Sequence, residues 1–235
     1  MTVYYYPDKV FKEKYDIEEA VIPCTPQSSQ WLSTIPLLVG GFKTVKEWFT
    51  KFNHHSFDDV PTTIRVCPGI KDLMQQSVLI KFHHDLLLET YEDDNFKWRT
   101  PEAGGNIRVE MHPSLQYMSE KSQLFRDQVN VKLIIPINFH SKGPLMFLNP
   151  YYHQKQPYSV MPGLITNING NLPETAINLM FPRMNATYHF KRGEPLCYGL
   201  NLNGTNKLVE KQNNIKLVRK EMLNNYNRAK NKNEI

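Results

Sequence analysis

Short apolar runs separated by turn residues fill the chain from about residue 77 to about residue 200. The runs are Ser77–Phe82, Leu86–Tyr91, Ile107–Met111, Val129–Asn138, Leu145–Asn149, Gly163–Ile168, Thr175–Phe181, Ala186–Phe190 and Leu196–Leu200. Val3–Tyr6 and Ala20–Pro23 add two more near the start. Ala103-Gly104-Gly105-Asn106, Lys142-Gly143-Pro144, Met161-Pro162-Gly163, Asn169-Gly170-Asn171 and Lys191-Arg192-Gly193-Glu194-Pro195 supply the turn chemistry between them. Strands of this length at a spacing of roughly ten residues predict a sandwich or barrel. Within the runs, Val129, Val131, Leu133 and Ile135 fall on one side, as do Ile177, Leu179 and Phe181, so one face of each strand enters a core. Pro136 has no N–H to give a ladder and belongs at an edge, a bulge or a strand start.

Helical spacing is confined to a few segments. Thr44–Phe52 places Val45, Trp48, Phe49 and Phe52 on one face, Gly69–Gln76 follows a Pro68 suited to a first helical position, and Ser114–Arg126 is a third candidate. In residues 205–235, Leu208, Ile215, Val218, Met222 and Tyr226 recur at helical intervals. The expected fold is all-β, a jelly-roll-like or double-stranded β-helix sandwich. An irregular N-terminal arm with one short helix (1–60) precedes the body (61–204), and a basic amphipathic helix (205–235) follows it. Its core is expected to hold Leu79, Leu87, Val131, Leu133, Ile135, Phe147, Ile177, Leu179, Phe181 and Leu196.

Composition and the chain's local make-up add four exclusions. With 235 residues, 40% hydrophobic, and 12 Phe, 12 Tyr and 3 Trp, the chain can bury a substantial core, which excludes wholesale disorder. No run of eighteen apolar residues is present, so no transmembrane helix is expected. The opening residues lack a basic region followed by an apolar stretch, so export by a signal peptide is not expected either. Three cysteines without a CxxC spacing predict buried free thiols rather than a disulfide framework or a zinc site.

Charge placement is more informative than the net +5. Residues 205–235 hold eight basic and three acidic side chains and so carry the whole excess. Lys207, Lys211, Lys216, Arg219, Lys220 and Arg228 are therefore the candidate partner-binding residues. Their partner would be an acidic protein surface or, more weakly, nucleic acid, held by salt-sensitive attraction.

Candidate chemistry is sparse. His83-x-Asp85 has the spacing of two ligands in non-haem iron sites, and His140, His153 or His189 is a candidate third ligand. Arg192 follows His189 too closely for a cosubstrate arginine, and neither a bound metal nor any cofactor is expected. His112, Gln116 and Tyr117 are candidates for lining a cleft. Cys67 at a helix start reads as a cap. Gly104-Gly105 lacks the basic residue and helix of a phosphate cradle, and no serine sits in a nucleophile elbow.

Several motifs in order carry a resemblance. They are Cys67-Pro68-Gly69-Ile70-x-Asp72, His112-Pro113-x-x-Gln116-Tyr117, Val131-Lys132-x-x-x-Pro136, Leu148-x-Pro150-Tyr151, Pro162-Gly163, Asn178-x-x-Phe181 and Lys191-x-Gly193-Glu194-Pro195-Leu196. Over about residues 64–200 the chain resembles a family of uncharacterised hypothetical proteins of marine phages, cyanophages especially. It departs from that family at Ile137, where a Trp is expected, and at Cys197-Tyr198-Gly199. The resemblance implies a viral origin and a compact β-rich body and brings no activity with it. The resulting expectation is a non-enzymatic viral structural or virion-associated protein, in the virion or the host cytoplasm. It would associate with viral or self subunits, as an oligomer, through the tail and the N-terminal arm. One alternative is an iron-dependent oxygenase-like enzyme on a double-stranded β-helix. The other is an intracellular phage accessory protein that binds a host factor or nucleic acid.

Overall fold

The computed structural model describes residues 2–7, 20–25, 28–41, 43–52, 62–101, 107–112, 127–141, 144–153, 155–165, 175–204 and 207–210. Among these, the strands are β1 (Thr2–Pro7), β2 (Val21–Pro23), β3 (Ser77–Lys81), β4 (Leu86–Thr90), β5 (Phe96–Arg99), β6 (Arg108–Met111), β7 (Gln128–Ile135) and β8 (Ile137–Ser141). They continue with β9 (Leu145–Leu148), β10 (Ser159–Val160), β11 (Gly163–Ile165), β12 (Thr175–Pro182), β13 (Ala186–Phe190), β14 (Pro195–Asn201) and β15 (Lys207–Glu210). Three short helices, α1 (Gln30–Thr34), α2 (Val45–Phe52) and α3 (Pro68–Gln76), lie between β2 and β3. The fold is all-β. No helix among the described residues is long and apolar enough to cross a membrane.

The strands form four sheets with orders β15-β1-β8, β10-β12-β7-β6, β11-β9-β14-β3-β2 and β13-β4-β5. All neighbours are antiparallel except β1 and β15, which run parallel. Two corners tie the sheets together. The β3/β14 pair continues into β4/β13 through Phe82–Asp85 and Lys191–Glu194. There Phe82 N–H donates to Glu194 O and Gly193 N–H donates to Phe82 O, both at 2.9 Å. Gly193 turns this corner at φ 88°, a backbone region that favours glycine. The second corner is Pro136. β7 pairs with β6 and β12 up to Ile135, and β8 pairs with β1 from Ile137 onward. The residue without an N–H therefore sits where the chain changes sheets.

The main core follows the alternation. Ile177 stands opposite Leu133, Leu179 opposite Val131 and Phe181 opposite Val129, and all six are buried. Phe82 stacks on Phe190 at 4.6 Å, and Tyr158 meets Phe181 at 5.4 Å and Phe190 at 5.6 Å. Leu87 differs from expectation: it is half-buried on the outer face, while Leu86 and Leu88 enter the core. The corner at 82–85 sets the phase of β4, and a run of three leucines fits either phase.

A second, smaller core lies on the other side of β3 and β14. Leu79 and Tyr198 meet Cys24, Leu32 of α1, and Ile70 and Met74 of α3. Ile70 and Met74 lie four residues apart and so share the inner stripe of α3. Pro68 opens that helix where an N–H has no intrahelical partner to lose. β3 is thus buried on both faces, which explains its continuous apolar run. Cys24 and Cys197 are buried, but Cys67 is exposed because it caps α3 at the surface, contrary to the expectation for all three thiols.

The expected helix over 205–235 is corrected at its start: Lys207–Glu210 is β15, paired with β1 from Thr2↔Lys207 to Tyr5↔Glu210. Leu208 fits a strand as well as a helix, and the available partner strand decides. Residues 211–235 and the helix candidate Ser114–Arg126 lie outside the described residues. The arm, expected to be irregular, contributes β1, β2, α1 and α2.

Candidate functional site

A polar constellation among the described residues sits over the small core. The Ser28 hydroxyl lies 3.0 Å from His153 Nε2, and His153 Nδ1 lies 2.7 Å from Tyr198 Oη. Tyr198 projects from β14, His153 from the turn that follows β9, and Ser28 from the turn that leads into α1. Ser29 caps α1 by accepting Leu32 N–H at 3.0 Å, and its own hydroxyl donates to the Tyr152 carbonyl. The residues thus span segments distant in sequence and fasten them to one face of the sheet at its central strand, β14.

Serine, histidine and a third group in line suggest nucleophilic catalysis, so the direction of the protons matters. A catalytic serine donates to the imidazole, whose other N–H donates to an acceptor that stabilises positive charge. Here Tyr198 Oη already accepts Tyr152 N–H at 3.2 Å, and burial pushes its pKa up, so it stays a protonated donor. Burial, then the charge of Lys81, holds the His153 pKa down to about 4, so the ring is neutral with one donor and one acceptor. Tyr198 O–H therefore donates to Nδ1 and Nε2–H donates to Ser28. The Ser28 hydroxyl in turn donates to the Thr25 carbonyl at 2.8 Å and accepts Thr25 N–H at 3.0 Å. The serine proton is committed to the Thr25 carbonyl rather than to the imidazole, and Nδ1, which a catalytic histidine would use as a donor, accepts from Tyr198 instead. The arrangement is a hydrogen-bonded strap.

The histidine–aspartate pair separates in space. His83 is buried, and burial, then the charges of His84 and Arg192, hold its pKa down to about 3. Asp85 is exposed, and its Oδ1 accepts Arg192 N–H at 2.8 Å. His189, exposed on β13, joins Asp85 along a groove of about 480 Å³ that His83 does not line. Among the described residues no three His, Cys, Asp or Glu side chains gather where they could hold a metal ion. Burial raises the pKa of both Cys24 and Cys197, which makes these thiols poor nucleophiles.

His112 is half-buried just beyond β6, its N–H donates to Asn130 O at 3.1 Å, and burial followed by the Lys132 charge lowers its pKa. Gln116 and Tyr117 lie outside the described residues. Lys207 is exposed on β15, and Lys211, Lys216, Lys220, Arg219 and Arg228 lie outside the described residues. The strap has no local signature in the sequence, because its members stand 125 and 45 positions apart. No protein-family model, no curated protein and no solved structure matches the chain.

Proposed function

We propose that the chain is a non-enzymatic viral structural or virion-associated protein that works by associating with other subunits through its basic tail. We take the body to be a jelly-roll-like, double-stranded β-helix sandwich, a reading supported by the β3–β4/β13–β14 ribbon that bends between two sheets. The phage resemblance over residues 64–200 supports the viral assignment. The observation that carries the associative reading is the parallel pairing of β1 with β15. It brings the first strand of the chain beside the strand that directly precedes Lys211, Lys216, Arg219, Lys220 and Arg228. With β8 on the far side of β1, β15 is an edge strand among the described residues. The segment that carries the net charge of the protein follows β15 directly in sequence, and charge so concentrated can steer an acidic surface.

The test compares the full chain with a chain ending at Glu210, which keeps β15 and removes the basic segment. Sedimentation at low salt should show assembly of the full chain. That assembly should dissolve as the Debye length shortens from ~10 Å at 0.1 M salt to ~3 Å at 1 M. The shortened chain should stay monomeric with an unchanged melting temperature. Assembly of the shortened chain at both salt concentrations would refute the proposal.

A further inference from the structure

We infer that the outer face of the β13-β4-β5 sheet binds a phosphate monoester of a small molecule. Leu87 stands opposite His189 on one side and Arg99 on the other, so the three form a row across neighbouring strands. Residues in register on adjacent strands share a face, and strands spaced ~4.8 Å apart put Arg99 and His189 roughly 10 Å apart across the leucine. The groove over this row, about 480 Å³, is completed by Lys191, Asp85, Thr100 and Pro101. That volume lies within the range of small-molecule sites, about 300–1,000 Å³.

The adjacent row of the same face shows what is unusual here. There Glu89 stands between Thr187 and Lys97, accepts a hydrogen bond from the Tyr91 hydroxyl at 2.9 Å, and leaves the row balanced. The Leu87 row has no such acid. The side chains of Arg99, His189 and Lys191 make no ion pair or hydrogen bond among the described residues, and the Glu194 carboxylate close to Lys191 accepts its backbone N–H at 3.2 Å. Asp85, the only carboxylate among the described residues that line the groove, is engaged by the Arg192 backbone N–H. Two permanent cations and an imidazole converging on one groove match a dianion better than a carboxylate, which Arg99 alone would neutralise. Arg99 can grip a phosphate with two parallel N–H donors, with Lys191 as a point charge beside it. Leu87 and Pro101 offer an apolar floor for the remainder of the ligand. The site lies on different strands from β15, so it is independent of association through the tail.

The experiment titrates the full chain with uridine 5′-monophosphate and follows heat or amide shifts. Parallel titrations use uridine, inorganic phosphate and an unphosphorylated single-stranded oligodeoxynucleotide. Saturable binding of the monophosphate is expected, with competition by inorganic phosphate and at least tenfold weaker binding of uridine. Arg99→Gln and Lys191→Gln should each weaken binding about tenfold while the melting temperature holds, since both side chains are exposed. Leu87→Asp, which puts a carboxylate in the floor, should abolish it. Three outcomes would overturn the inference: no saturation by the monophosphate at millimolar concentration, equal affinity for uridine, or an affinity indifferent to all three substitutions. Tighter binding of the oligonucleotide than of the monophosphate would also overturn it, in favour of a nucleic-acid backbone.

Discussion

β3 and β14 separate two cores built on different principles. On one face Val78, Ile80 and Leu196 join a large interior in which Phe82, Tyr158, Phe181 and Phe190 touch ring to ring. On the other face Leu79 and Tyr198 meet a few residues of α1, α3 and the arm, and a chain of hydrogen bonds fastens the lid. The large core gains from apolar area, which grows with every strand added. The small one has little area and relies on fully satisfied polar contacts, each contributing about 1 kcal/mol net. Damage to the first should unfold the protein; damage to the second should open one corner of it.

The largest effect should come from Phe181→Ala. This side chain is fully buried among Tyr158, Tyr188 and Phe190, and its loss should cost about 3–5 kcal/mol in chemical denaturation. Amide exchange should accelerate in all four sheets together.

Acid comes next. His83 takes a proton far more readily when unfolded, at the usual 6.5, than when folded, at about 3. Its neutral, buried form therefore carries no penalty above pH 6.5, and stability falls as the pH drops from 6.5 toward 3. The slope should approach about 1.4 kcal/mol per pH unit in that window, and His83→Gln should flatten it. An unchanged slope in that variant would move the acid sensitivity to another group, with His153, held to about 4, as the next to test.

Tyr198→Phe keeps the buried ring and removes the hydroxyl between Tyr152 N–H and His153 Nδ1. A cost of about 1–3 kcal/mol is expected from the two stranded groups. The change should appear as faster exchange in residues 28–35 with the large core still protected. Global loss of protection would break the division into two cores.

The smallest effect should be that of Glu110→Gln, which loses the partly exposed contact with Lys132 at 3.3 Å on the outer face of β6 and β7. Such pairs contribute about 0.2–1 kcal/mol, so the denaturation midpoint should barely move. A larger loss would mean that the outer faces carry stability assigned here to the two interiors.

The two cores also differ in how far they can be read from the chain. Apolar residues at every second position of Val129–Ile135 and Thr175–Phe181 announce the large core, because sheet geometry repeats every two residues. The small core has no such rhythm: Leu32, Met74 and Tyr198 come from two helices and a strand, and the strap joins Ser28 to His153. Phe96–Arg99 escapes notice because charged residues alternate with its aromatics on a sheet edge. Lys207–Glu210 reads as helix because pairing with β1, two hundred positions away, is a property of the fold. Asp85 and His189 enter the sequence reading only as metal-ligand candidates beside His83; that they line one groove comes from the fold. Arg99 becomes their neighbour only through the register of β4 with β5.

The parallel pairing of β1 and β15 also has a mechanical consequence. The chain enters β1 at Thr2 and leaves β15 at Glu210, at opposite ends of one ladder. Tension applied at Thr2 and at Glu210 pulls these strands in opposite directions along their length. The bonds from Thr2↔Lys207 to Tyr5↔Glu210 are then loaded together in shear instead of being peeled open one at a time. The β1–β15 ladder is therefore a clamp, able to bear force across itself before the sheets behind it feel any.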